Sequence, residues 1–298
     1  EYTRMSREIS MLKYGWRFRR EALAGAAKPD FDDSAWEQVR VPHDWAIGGP
    51  FDVNNDLQYT AIVQDGELKK RNYSGRTGGL PHVGEAWYRL NLTLEQVENR
   101  RFRLEFDGVM SHSRVFVNGR NIGSWPCGYT SFAFDITKAV RSGRNVLAVQ
   151  VNNPPLASRW YPGAGIYRNV RLVSLSEVHI AYSGIHVTTP DIDLKREKAT
   201  VNVKVELEGE KIPANVSMEL FDPAGNSAGK MRGKTGSKKS ALRLSCRVSN
   251  AKFWSCETPF LYRAVVLVHT RGKVSDICET SFGIRTIRFD AEDGFFLN

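Results

Sequence analysis

Hydrophobic and polar residues alternate with a period of two along much of the chain. Tyr88, Leu90, Leu92 and Leu94 alternate with Trp87, Arg89, Asn91 and Thr93; Phe102, Leu104 and Phe106 alternate with Arg101, Arg103, Glu105 and Asp107. Leu147, Val149 and Val151 repeat the pattern around Ala148 and Gln150. Successive side chains of a strand point to opposite faces, so these runs predict antiparallel strands with one packed and one wet face. Asn118-Gly119, directly after Val115-Phe116-Val117, predicts a tight hairpin, because both turn positions need positive φ. No segment sustains the 3.6-residue period of a helix.

From about residue 177 the texture changes. Val201, Val203, Val205 and Leu207 alternate with polar residues, and Leu242, Leu244, Cys246 and Val248 do the same beyond the turn Pro223-Ala224-Gly225-Asn226. Short strands and turns repeated every ten residues or so predict an immunoglobulin-like sandwich. The first half, with more strands and longer loops, suits a jelly roll. The expected fold is therefore all-β: a jelly-roll sandwich over 1–176, an immunoglobulin-like β-sandwich over 177–285, and a linker over 286–298. A chain of 298 residues suits two such domains, each with its own core.

Two long stretches, Pro42 to Gly84 and Asn152 to Gly165, carry little strand pattern. Loops this long in a compact domain are commonly functional. Apolar runs of only a few residues predict no membrane-spanning helix, and the first residues lack the pattern of a signal peptide, expected either removed or never present. The net charge is +9, and eight Lys or Arg fall between Asp222 and Glu257 without an acid. No aromatic residue lies between Arg232 and Lys252 to stack a base, so the run reads as solvated strand faces rather than a nucleic-acid site. Ala228 to Thr235 matches a relaxed phosphate-loop pattern but leads back into β alternation, which excludes a nucleotide cradle. Cys127, Cys246, Cys256 and Cys278 show no Cys-x-x-Cys spacing, and His43, His82 and His112 no ligand spacing, so neither a metal nor another cofactor is expected. Cys246 falls in the inward set and is expected buried; disulfide pairing and redox compartment stay open.

Several motifs then occur in order. Phe31-Asp32-Asp33-Ser34-Ala35-Trp36 precedes Val41-Pro42-His43-Asp44-Trp45; Gly84-Glu85-Ala86-Trp87-Tyr88-Arg89 and Phe106-Asp107-Gly108-Val109 follow, then Val117-Asn118-Gly119. Gly165-Ile166-Tyr167-Arg168-Asn169-Val170, Phe282-Gly283-Ile284-Arg285 and Gly294 to Asn298 complete the series. Together they resemble the two N-terminal β-domains of family 2 glycoside hydrolases of the β-galactosidase and β-glucuronidase type, over almost the whole chain.

The resemblance implies the non-catalytic N-terminal part of a retaining exo-β-glycosidase, with β-galactosidase the first choice. Its partners would be a β-linked sugar and a missing TIM barrel bearing both catalytic glutamates; no nucleic-acid or membrane partner is expected, and homo-oligomerisation stays open. A periplasmic or secreted setting is favoured. Retention needs two carboxyls about 5–5.5 Å apart, and the chain holds no Asn-Glu dipeptide of the family's acid/base kind. It is expected to contribute part of the non-reducing sugar pocket. Asp44 is the first candidate to accept a sugar hydroxyl, weighed against a turn or cap role; Arg159 and Trp160 follow, with inter-domain packing the competing role for Trp160. Better-known galactosidases carry an acid before the Gly-Ile signature that touches substrate and sodium. Here no Asp or Glu lies between Gln150 and Glu177, which counts against a sodium site and strict galactose specificity. The alternative is a free-standing carbohydrate-binding module. Apolar residues past the second domain suit an internal cut better than a natural end.

Overall fold

The computed structural model describes residues 6–74, 77–157, 162–210, 212–236 and 240–298. Ile9–Ser174 form one compact unit, and residues 6–8 with Leu175–Asn298 form another. Every regular element among the described residues is a strand, as the period-two pattern predicts. Strands are numbered in chain order.

The first unit is a sandwich. Its four-stranded sheet runs β1 (Glu8–Met11), β12 (Val170–Ser176), β7 (Arg100–Phe106), β10 (Phe132–Asp135). Its six-stranded sheet runs β3 (Glu37–Val39), β2 (Trp16–Arg19), β6 (Gly84–Leu94), β11 (Gly143–Asn153), β8 (Ser113–Val117), β9 (Arg120–Trp125). Phe102, Leu104 and Phe106 of one sheet meet Tyr88, Leu90, Leu147 and Val149 of the other in a single core. Each such side chain contributes roughly 1.5–3 kcal/mol by leaving water. The turn at Asn118 and Gly119 has both φ angles positive and joins β8 to β9.

The expected wet faces are not wet. On β6, Trp87 packs with Ala26, Trp36 and Ala148 in a second apolar cluster, because residues 20–36 fold across the outside of the sheet. Arg89 is only 1% exposed. Its Nε donates to Asp33 Oδ2 at 2.7 Å, and its Nη atoms donate to the carbonyls of Ala26, Lys28 and Phe31. A buried guanidinium is tolerable only with its donors paired in this way. On β7, Arg103 and Glu105 are buried too, and Arg171 bridges Glu105 and Asp107. The stretch from Pro42 to Gly84 also holds a hairpin that alternation did not reveal: β4 (Leu57–Gln64) and β5 (Glu67–Ser74), joined at Asp65-Gly66 with both φ positive.

The second unit pairs a sheet of β13 (Val178–Asp193), β14 (Lys198–Gly209) and β17 (Ala241–Ser249) with one of β16 (Ser227–Thr235), β15 (Ala214–Phe221), β18 (Tyr262–Thr270) and β19 (Lys273–Phe282). Val201, Val203, Val205, Val216, Met218 and Val266 fill its core. Cys246 points inward but is half-buried; a Cβ on Gly229 would stand 2.9 Å from its Sγ, so the glycine lets β16 approach. All four cysteines are free. The basic run lies along β16 and β17 with Lys230, Arg232, Lys234, Arg243 and Arg247 exposed; Lys238 and Lys239 lie outside the described residues. Arg7 reaches into this unit, pairing with fully buried Asp276 at 2.9 Å and donating to the Ile180 carbonyl. Residues 286–298 close into a hairpin of β20 (Ile287–Asp290) and β21 (Gly294–Leu297), tied by Asn298 Nδ2 to the Trp254 carbonyl.

Candidate functional site

The two long loops of the first unit are fastened to each other. His43 N donates to the Ile166 carbonyl at 2.8 Å and Trp45 N to that of Ala164 at 3.1 Å, so residues 43–45 run alongside the Gly-Ile signature. Trp45 Nε1 donates to the Pro81 carbonyl, and Leu156 N donates to Asp56 Oδ1. Asn153 Nδ2 donates to the His82 carbonyl. Gly165 has φ +106, and a Cβ there would collide with the Tyr88 hydroxyl. The glycine of that signature is thus required twice, by backbone conformation and by space.

Asp44 lies within this seam. Its Oδ1 accepts from Ala46 N at 2.9 Å, the geometry of an Asx turn, and from Ala164 N at 3.0 Å. Its Oδ2 lies against Gly163, where a Cβ would come within 2.9 Å, and accepts no hydrogen bond from the described residues. One oxygen is therefore structural and the other available. Arg159 and Trp160 lie outside the described residues. His43 Nδ1 pairs with the Tyr88 hydroxyl at 2.8 Å. Burial pushes the His43 imidazole below its ordinary range and the Tyr88 phenol well above its own, so both are neutral near pH 7.

Two clefts open on either side of His112. One, of about 410 Å³, is lined by His82, Met110, Tyr129 and Asn153, and by Ala157 and Pro162, the described residues flanking the Arg159–Trp160 segment. Tyr167 braces its wall by donating to the Gly128 carbonyl at 2.8 Å. The Cys127 thiol on its rim is held below the usual range by hydrogen bonds, chiefly from Thr130. The other, of about 570 Å³, is lined by Glu85, Arg114, Ser124, Gln150 and Asn152 with Trp125 and Pro126. Sequence reading did not find this second group. Its members are far apart in the chain and meet only through strand register: Gln150 is opposite both Trp87 and Arg114, Asn152 opposite Glu85, and Arg114 opposite Ser124. Among the described residues no group of three or more His, Cys, Asp or Glu could hold a metal.

The fold and its loops define a two-sandwich all-β protein with polar clefts at the edge of the first sandwich. Residues 12–189 match the sugar binding domain of glycosyl hydrolases family 2, and residues 178–285 match a second domain of the same family. The chain belongs to glycosyl hydrolase family 2. It is 35% identical to a β-galactosidase of Bacteroides ovatus over 301 residues, covering 98% of this chain and 33% of that protein. A β-glucuronidase of Formosa agariphila is 26% identical, covering 95% of this chain and 30% of its own length. The crystal structure of a β-glycosidase from Bacteroides vulgatus superposes with a TM-score of 0.84 at 31% identity, covering 97% of this chain and 35% of that one. The chain therefore spans about a third of the length of the curated relatives it matches.

Proposed function

We propose that this chain is the non-catalytic N-terminal part of a retaining exo-β-glycosidase, with a β-galactosidase favoured over a β-glucuronidase. In this reading a jelly-roll domain over 1–176 and an immunoglobulin-like domain over 177–285 precede a TIM barrel supplying both catalytic carboxyls. The observation that carries it is the ordered match of both domains to a family whose relatives here, a β-galactosidase and a β-glucuronidase, are three times this length. Galactosidase is favoured because the more similar of those two relatives is a β-galactosidase.

The first sandwich contributes part of the non-reducing sugar pocket through the seam of its two loops. Asp44 Oδ2 accepts a hydroxyl of the sugar; Arg159 and Trp160, outside the described residues, are the further candidates for a donor and a stacking face. Asp44 Oδ1, holding Ala46 N and Ala164 N, fixes the carboxylate so that binding freezes no rotamer. The test is hydrolysis of nitrophenyl β-galactoside and β-glucuronide by the longer protein. Preference for the galactoside supports the reading; preference for the glucuronide reassigns the sugar, and turnover of neither overturns it.

A further inference from the structure

The 570 Å³ cleft has the chemistry of a ligand site that none of the foregoing uses. Its floor is the outer face of a rigid sheet. Glu85 is held in place there by its Oε1, which accepts from Trp87 Nε1 at 3.2 Å and Gln150 Nε2 at 2.8 Å. Its Oε2 accepts no hydrogen bond among the described residues. Arg114, one strand beyond Gln150, is exposed and makes no ion pair among them.

His112 adds a second acceptor, and its tautomer follows from its neighbours. Asn153 Nδ2 donates to the His82 carbonyl, which identifies Asn153 Oδ1 as an acceptor. Ser111 Oγ lies 2.8 Å from that Oδ1 and 3.3 Å from the Asn152 carbonyl. Its one proton must go to one of these, so it accepts from His112 Nδ1, 3.0 Å away. Neutral His112 therefore carries its proton on Nδ1 and presents Nε2 as a lone pair. Among the residues that line the cleft, Glu85 Oε2 and His112 Nε2 are thus acceptors and Arg114 a cationic donor. Trp125 and Pro126 complete the lining; the Trp125 indole itself packs against the inter-sheet core, stacked on Phe132 with centroids 5.6 Å apart and pinned by Nε1 to Thr130 Oγ1.

A hydroxyl both donates and accepts, so a pair of adjacent hydroxyls matches two acceptors beside a guanidinium. We propose that this cleft binds a neutral saccharide through two adjacent hydroxyls, with Glu85 and His112 accepting and Arg114 donating. The proposal rests on the reading above only for the class of ligand.

The test is calorimetric and NMR titration of the 298-residue chain with methyl β-galactoside, with methyl β-glucuronide in parallel. We expect weak, saturable binding of the galactoside, lowered at least tenfold in both Glu85→Gln, which keeps an oxygen for Trp87 and Gln150, and Arg114→Ala, with melting temperatures unchanged. The ¹⁵N spectrum should show His112 Nδ1 protonated and Nε2 moving on titration. If either variant melts early, His112→Ala decides in its place. No binding, or binding that these variants leave intact, overturns the proposal; tighter glucuronide binding overturns its neutral ligand. Hydrolysis by the longer protein is read separately, so either reading can fail alone.

Discussion

At the residue scale, Asp44 and His43 sit side by side and do different things. Because Asp44 Oδ1 holds two backbone amides from two loops, truncation removes structure as well as any sugar contact. Asp44→Ala should cost about 1–3 kcal/mol of stability, the range for buried amides left unpaired. Asp44→Asn keeps an oxygen for both amides and should melt close to wild type, while the longer protein loses roughly 2–4 kcal/mol in kcat/KM by losing a charge-assisted bond. Melting curves and Michaelis–Menten series on both variants separate the roles; a wild-type kcat/KM in Asp44→Asn would leave Asp44 a turn residue alone. His43 gives a pH signature. Burial lowers its pKa in the folded state from an ordinary 6.5, so the unfolded chain binds its proton more readily. Its stabilising contribution is thus complete above about pH 6.5 and is lost as pH falls toward the folded value. The melting-temperature advantage of wild type over His43→Gln should shrink below that pH.

At the scale of elements, Arg89 on β6 tests how the outer face is held. Replacing it by Met leaves Asp33 and the carbonyls it serves unpartnered, and should destabilise by about 3–5 kcal/mol in urea unfolding, the cost of halving a buried pair. Little change would mean that Trp87 and Trp36 hold residues 20–36 without it. Arg89 also marks where the sequence stops being readable. Its alternation with Tyr88 and Leu90 correctly puts it on the opposite face, but period says which face a residue takes, not what covers that face. The cover comes from residues more than fifty positions away. β14 and β15 were legible because their polar faces do meet water, and Asn118-Gly119 because one turn chemistry permits one geometry. Asp65-Gly66 carried the same turn signal, but Leu57 to Gln64 has too little alternation around it to announce a strand. For the candidate site, Asp44 was singled out from its motif, and the structure places it in the seam of the two loops. Glu85, His112 and Arg114 were not legible, since only the pairing of β6, β11 and β8 brings them together.

At the scale of the whole molecule, the distribution of carboxyls sets what this chain can do by itself. Glycoside hydrolysis with retention needs one carboxyl kept protonated by its surroundings and a second, ionised, about 5–5.5 Å away. Of the two clefts that His112 lines, one has Glu85 as its only described acid and the other has none among the described residues. The acidic residues on β7 and just beyond it, Glu105 and Asp107, are both engaged by the Arg171 guanidinium. Neither arrangement supplies an acid beside a nucleophile. The 298-residue chain should therefore release nitrophenol from β-galactoside and β-glucuronide no faster than buffer, while still binding methyl β-galactoside in titration. Adding the remainder of the longer protein should restore turnover without changing the folded state of this part, seen as unchanged backbone resonances in its second-sandwich core. Turnover by the chain alone, abolished by one Asp or Glu substitution within it, would place the chemistry in these sandwiches and remove the need for a barrel.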